Sequence, residues 1–98
     1  MKIRKEYGYQ EDEFILFYAA ELNYNKYQDL LIDMINILKD KIPTIKLLLA
    51  GTGPLKDKYE KKINDLGLSS NIKLLGLRSD VPNLLALSDI AVASSRRE

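Results

Sequence analysis

The residues best suited to chemistry in this sequence are charged side chains placed where apolar runs give way to helical spacing. Lys26 stands just ahead of such a segment, and a compact ammonium beside a helix N-terminus can hold a diphosphate. An exposed lysine there is also ordinary solvated surface. Glu98 closes Ser95-Arg96-Arg97-Glu98 and by itself is an unremarkable charge. Gly51-Thr52-Gly53-Pro54 follows an apolar run, and its glycines permit either a tight strand-to-helix turn or close backbone approach to a ligand. The 98 residues include no cysteine and no histidine, which excludes disulfides, a thiolate nucleophile, a thiol metal site and the usual neutral-pH proton shuttle. Carboxylates, lysines, arginines, hydroxyls and the backbone remain.

Other readings of these residues fail on spacing. Lys56 occupies the place of the third glycine in a dinucleotide fingerprint, and the glycines follow the second apolar run, not the first. The phosphate loop ending in Gly-Lys-Ser/Thr is absent. A phospho-acceptor module needs an aspartate at a strand's carboxyl end, whereas the expected strand ends are Ala19, Ala50, Leu75 and Ala93. Asp89 falls at the start of its strand and reads as a cap or turn residue. The 15 basic and 14 acidic residues are interspersed, with no stripe fit for a phosphate backbone, so nucleic acid is not an expected partner. The mixed run from Lys56 to Lys62 reads as a solvated helix face. No apolar run reaches the roughly 20 residues of a membrane span, and Met1 to Gln10 is too polar for a signal peptide. A cytoplasmic location is the expectation.

The elements that must position these residues follow from periodicity. Met1 to Asp12 is polar and irregular apart from a short helical turn, as in a linker. Residues 13–98 form the core-building part. Phe14 to Ala19 and Ile45 to Ala50 are continuous apolar runs of strand length, suited to strands covered on both faces. Between them Tyr27, Leu30, Leu31, Met34, Ile35 and Leu38 recur at helical spacing before Pro43. Leu55, Tyr59, Ile63 and Leu66 mark a second helix, with Pro54 in its first turn and Gly67 at its stop. A third strand, Ile72 to Leu75, ends at Gly76; a short helix, Val81 to Leu87, follows Ser79 and Asp80 as caps; Ile90 to Ala93 is the fourth strand. Strand and helix alternating in this way imply an α/β, Rossmann-like parallel sheet, βαβαβαβ, with order 3-2-1-4. The loops after the first and fourth strands, Ala20 to Lys26 and Ser94 to Glu98, then flank a topological switch point, where such folds bind ligands. The fourth strand is left as an apolar edge, from which a truncated sheet and self-association are expected.

Four stretches carry a resemblance: Ala20 to Lys26, Leu48 to Pro54, Ile72 to Gly76, and Ser88 to Glu98. In that order they resemble the Glycosyl transferases group 1, retaining enzymes of GT-B fold, with the nearest likeness to bacterial enzymes of capsular and exopolysaccharide synthesis. The resemblance covers nearly the whole chain and implies part of a carboxyl-terminal, nucleotide-sugar-binding domain, entered through an interdomain linker at residues 1–12. It implies that Lys26 contacts the donor diphosphate, with Gly51 and Gly53 near it. Glu21 takes the family's usual Arg position, so charge compensation falls on Lys26 and helix N-termini. Leu75, Gly76, Leu77 and Arg78 correspond to the loop against the base. Glu98 matches the first of two active-site glutamates and is the implied catalytic residue, placed near the donor sugar; the second lies outside this sequence.

The implied reaction transfers a sugar from a nucleoside diphosphate donor, UDP-linked ahead of GDP-linked, to an acceptor hydroxyl with retention. Stabilising the departing diphosphate requires no histidine. No metal or cofactor is expected, and the acceptor site belongs to an amino-terminal domain absent here, so the chain alone is expected to be inactive. The full-length enzyme is expected in the cytoplasm or peripherally at the inner membrane face. A non-catalytic α/β interaction module and a nucleotide-sugar epimerase of the same fold stand as alternatives.

Overall fold

A computed structural model describes residues 2–23 and 26–92. Along the chain run α1 (Lys2–Glu6), β1 (Phe14–Ala19), α2 (Gln28–Leu38), β2 (Ile45–Ala50), α3 (Lys56–Asp65), β3 (Ile72–Gly76), α4 (Val81–Leu87) and β4 (Ile90–Ala91). The four strands form one parallel sheet in the order β3-β2-β1-β4. The expected 3-2-1-4 order is therefore observed.

Alternation along the strands divides the core between the two faces, since successive side chains point to opposite sides. Leu16 and Tyr18 of β1 and Ile45, Leu47 and Leu49 of β2 face α2 and α3, meeting Ile32, Ile35, Tyr59 and Ile63. Ile15, Phe17, Leu48 and Ala50 face the other way, onto Leu84 and Leu87 of α4, with Ile3, Tyr7 and Tyr9 packed beside them. The connection after β1 thus lies on one face and α4, leading into β4, on the other. This reversal at the β1–β4 pair is the switch point that the strand order implies.

Three details depart from the sequence expectations. The buried residues of α2 are Gln28, Ile32 and Ile35, while Leu30 is 49% exposed. The spacing from Tyr27 to Leu38 had singled out Leu30 and left out Ile32. Both positions extend an apolar series; in the fold it is Ile32 that packs into the core against the sheet. Pro54 lies in the turn ahead of α3, whose N-cap is Leu55. Strand β4 spans only Ile90–Ala91, although the Val92 N–H still donates to the Phe17 carbonyl at 2.8 Å. Ala93 lies outside the described residues.

The segment before β1 is anchored by one buried cation. Arg4, 5% exposed, donates from Nε to the Leu87 carbonyl and from Nη2 to the Asp89 carboxylate, both at 2.8 Å. Its Nη1 serves the carbonyls of Gln10, Glu11 and Glu13. A guanidinium offers five N–H donors in a fixed fork, and here they gather the loop before β1, the end of α4 and the start of β4. Asp89, read from sequence as a cap or turn residue, accepts from the Ile15 N–H at 2.8 Å as well as from Arg4, and its own N–H donates to the Ile15 carbonyl. This reciprocal pairing seats the short β4 against β1. The Ile15 N–H first, and Arg4 after it, hold the Asp89 carboxyl below its ordinary range against the opposing effect of burial.

Candidate functional site

The loops leaving the carboxyl ends of the strands enclose a cavity of about 390 Å³, lined by Ala19, Ala20, Glu21, Ala50, Gly51, Thr52, Leu77, Arg78 and Val81. It lies on the carboxyl rim of the sheet, where open α/β folds bind ligands, but its lining comes from the ends of β1 and β2 and the stretch after β3, with no described residue of β4. Its volume falls within the usual range for small-molecule clefts.

Its walls exist because two loops are joined beyond the strands. The Ala20 N–H donates to the Ala50 carbonyl at 3.0 Å, Leu22 to Thr52 at 3.1 Å and Leu55 to Leu22 at 3.1 Å. This contact explains both glycines of the Gly51-Thr52-Gly53 turn. Gly51 has φ +127°, and a Cβ there would lie 2.2 Å from the Ala20 carbonyl oxygen. A Cβ on Gly53 would lie 2.6 Å from the Leu22 oxygen and 2.8 Å from its nitrogen. The close approach these glycines permit is therefore to the neighbouring loop's backbone. Gly51 also lines the cavity; Gly53 is not among the lining residues. Gly76 has φ +72° and its carbonyl accepts from the Gly51 N–H at 2.7 Å, which turns the chain so that Leu77 and Arg78 reach the cavity. Leu77 is 80% exposed, an apolar side chain left on the rim.

Glu21 and Arg78 are the charged residues of the lining. The Glu21 carboxylate accepts from the Asn23 amide, and the Glu21 carbonyl accepts from Gln28 Nε2 at 2.9 Å. Gln28 is 1% exposed, so a buried amide at the start of α2 braces the loop. Its position on an apolar face carried no sequence signal. Lys26 is half-buried, its N–H donating to the Asn23 carbonyl at 3.2 Å in the turn directly before α2. It is not among the residues lining the cavity.

Arg78 is held by Asp80, Nε to Oδ1 at 2.9 Å and Nη2 to Oδ2 at 2.7 Å. Asp80 is the N-cap residue of α4 by position, yet it makes no side-chain capping bond there. Its carboxylate instead serves Arg78 and the Tyr7 hydroxyl, which hold its pKa down at about 2. Of the residues expected at the site, Gly51, Leu77 and Arg78 are brought together, with Gly76 behind them. Glu98 lies outside the described residues, as does the loop of residues 94–98. Among the described residues, no cluster of carboxylates suited to a metal ion occurs, and no helix is long and apolar enough to cross a membrane.

Comparisons with known proteins agree with this fold. The model of the family Glycosyl transferases group 1 matches residues 1–98. The Bacillus subtilis (strain 168) protein EpsD, a glycosyltransferase by its name, is 43% identical over 97 residues, covering 99% of this chain and 26% of its own length. A crystal structure of Anabaena Alr3699/HepE in complex with UDP superposes with a TM-score of 0.81 at 28% identity, covering 96% of this chain and 26% of that one. WaaG, a glycosyltransferase involved in lipopolysaccharide biosynthesis, superposes with a TM-score of 0.87 over 99% of this chain and 26% of its own; at 23% identity it speaks for the fold alone. The chain thus spans about a quarter of the length of the curated relatives it matches.

Proposed function

The chain belongs to the Glycosyl transferases group 1 family, and from that premise we propose that its cavity is the donor site of an enzyme transferring a sugar from a nucleoside diphosphate to an acceptor hydroxyl. The observation carrying this reading is the 390 Å³ cavity at the carboxyl ends of β1 and β2, in a chain 28% identical to a protein crystallised with UDP. UDP-glucose complexes of that same neighbour favour a UDP-linked donor. The 43% identity with EpsD supports assembly of a bacterial surface polysaccharide as the setting.

In this reading the base rests by Leu77 and Arg78, and the diphosphate extends toward Lys26 and the N-terminus of α2. The α2 backbone N–H groups and the Lys26 ammonium oppose the negative charge that grows on the departing diphosphate, so they stabilise the transition state more than the bound donor. Glu21 on the cavity wall adds negative charge and makes Lys26 more important. Glu98 acts near the donor sugar, and the transfer retains anomeric configuration. Residues 1–12 form the segment entering this domain from an acceptor-binding domain, and the matched portion does not catalyse transfer without that domain.

Calorimetric titration of the intact protein with UDP and GDP tests the reading. UDP binds more tightly than GDP, and Lys26→Ala weakens UDP by about tenfold, as expected for one charge-assisted contact. Absence of binding to either nucleotide would refute the donor-site assignment; undiminished UDP binding by Lys26→Ala would remove that residue from it.

A further inference from the structure

The mouth of the cavity is tied to the segment before β1. Arg78 lines the cavity and is gripped through two of its nitrogens by the two oxygens of Asp80. The Tyr7 hydroxyl, just beyond α1, donates to Asp80 Oδ2 at 2.6 Å, the oxygen that also receives Arg78 Nη2. Tyr7 and Asp80 are 73 positions apart, so this contact joins segments that only the fold brings together. The Tyr7 ring packs beside Ile3, Tyr9 and Val81 against the core of the α4 face, which gives the hydroxyl a fixed origin.

The geometry points to Tyr7 and Asp80 as positioning residues for nucleotide binding, holding Arg78 in one orientation at the cavity wall so that the segment before β1 sets donor affinity. Two parallel bonds between a planar guanidinium and a carboxylate define both distance and plane. A third bond, from a hydroxyl on a different segment, stops the Arg78–Asp80 pair from swinging together as a free surface unit. A side chain already fixed loses less freedom when a ligand arrives, so fixing it strengthens binding without a new contact. The protonation states agree with this role. Asp80, with a pKa of about 2, stays anionic, while its hydrogen bond to Tyr7 raises that phenol above its ordinary value and keeps it a donor.

This inference rests on the donor-site reading above, and the experiment separates the two. UDP affinity is measured calorimetrically for the intact protein and for Tyr7→Phe, Asp80→Asn, Arg78→Ala and the Tyr7→Phe/Asp80→Asn double variant, with thermal melting of each. Tyr7→Phe keeps the ring and its packing, so its melting temperature falls only slightly, by the loss of one partly exposed hydrogen bond. UDP binding nevertheless weakens about three- to tenfold, the effect of losing one hydrogen bond to a charged group. Asp80→Asn and Arg78→Ala weaken it at least as much, and the double variant falls no further than Asp80→Asn, because all three residues act through one guanidinium. With a UDP-sugar donor, the loss appears as a raised KM at unchanged kcat. If the parent binds UDP and Arg78→Ala weakens it, but Tyr7→Phe and Asp80→Asn bind like the parent, the positioning role is overturned while the donor site stands. Parent-like binding by Arg78→Ala also overturns it. A parent that binds no UDP removes the donor site and this inference together.

Discussion

Replacing Arg4 tests whether the segment before β1 is part of the fold or an appendage. Its guanidinium makes one buried bond to the Leu87 carbonyl, three to the carbonyls of Gln10, Glu11 and Glu13, and one to Asp89. The terms are unequal. Arg4→Met keeps much of the aliphatic packing but leaves the Leu87 carbonyl buried without its donor, which costs about 1–3 kcal/mol. The three loop carbonyls are only partly buried and regain water, so each loses roughly 0.5 kcal/mol, at the low end for a net hydrogen bond. The Asp89 side chain is 39% exposed and retains the Ile15 N–H, so screening limits the ion pair to about 0.5 kcal/mol. Together these give a loss of about 3–5 kcal/mol, a large part of a small domain's stability. Arg4→Lys recovers under half of it, because an ammonium cannot match a fork that reaches Leu87, Asp89 and the loop at once. Urea unfolding followed by circular dichroism supplies the number, with m-values compared to ensure that the transitions are alike. A loss below about 1 kcal/mol for Arg4→Met would refute the hydrogen-bond reasoning. Equal stability of Arg4→Lys would refute the argument from the fork.

Four further outcomes follow from the same structure. Ile32→Ala destabilises the protein by about 2–5 kcal/mol, whereas Leu30→Ala changes it by less than about 0.5, which distinguishes the observed face of α2 from the one its spacing suggested. Gly51→Ala costs about 2–4 kcal/mol in backbone strain and overlap with Ala20, and lowers UDP affinity because the displaced loop lines the cavity; denaturant unfolding and calorimetry measure the two effects. Asp89 has a lowered pKa in the folded state, so its stabilisation is present above the ordinary carboxylate pKa and is lost as pH falls through the lowered value; Asp89→Asn therefore flattens the acid limb of stability against pH. Tyr7, whose pKa is raised, contributes stability below its ordinary pKa that is lost as pH rises through the raised one, so Tyr7→Phe flattens the alkaline limb.

The sequence carried the architecture because apolar periodicity is a local property. Phe14 to Ala19 and Ile45 to Ala50 are the observed strands, Val81 to Leu87 is the observed helix, and their alternation leads to the 3-2-1-4 sheet and its switch point. The spacing of Gly51 and Gly53 announced a tight place, and the motifs around them carried the family. What occupied that tight place was decided by the fold, since the backbone of Ala20 and Leu22 belongs to another loop. The same holds for Arg4 and Tyr7, which no spacing singles out, and for Asp80 and Asp89, which read as cap or turn residues. Arg4 meets Leu87 and Asp89 across 83 and 85 positions, and Tyr7 meets Asp80 across 73. A polar partner that far along the chain leaves no period and no spacing in the sequence. Only packing α1 and α4 on one face of the sheet brings such groups within hydrogen-bonding distance, and with them the grip on Arg78 at the cavity wall.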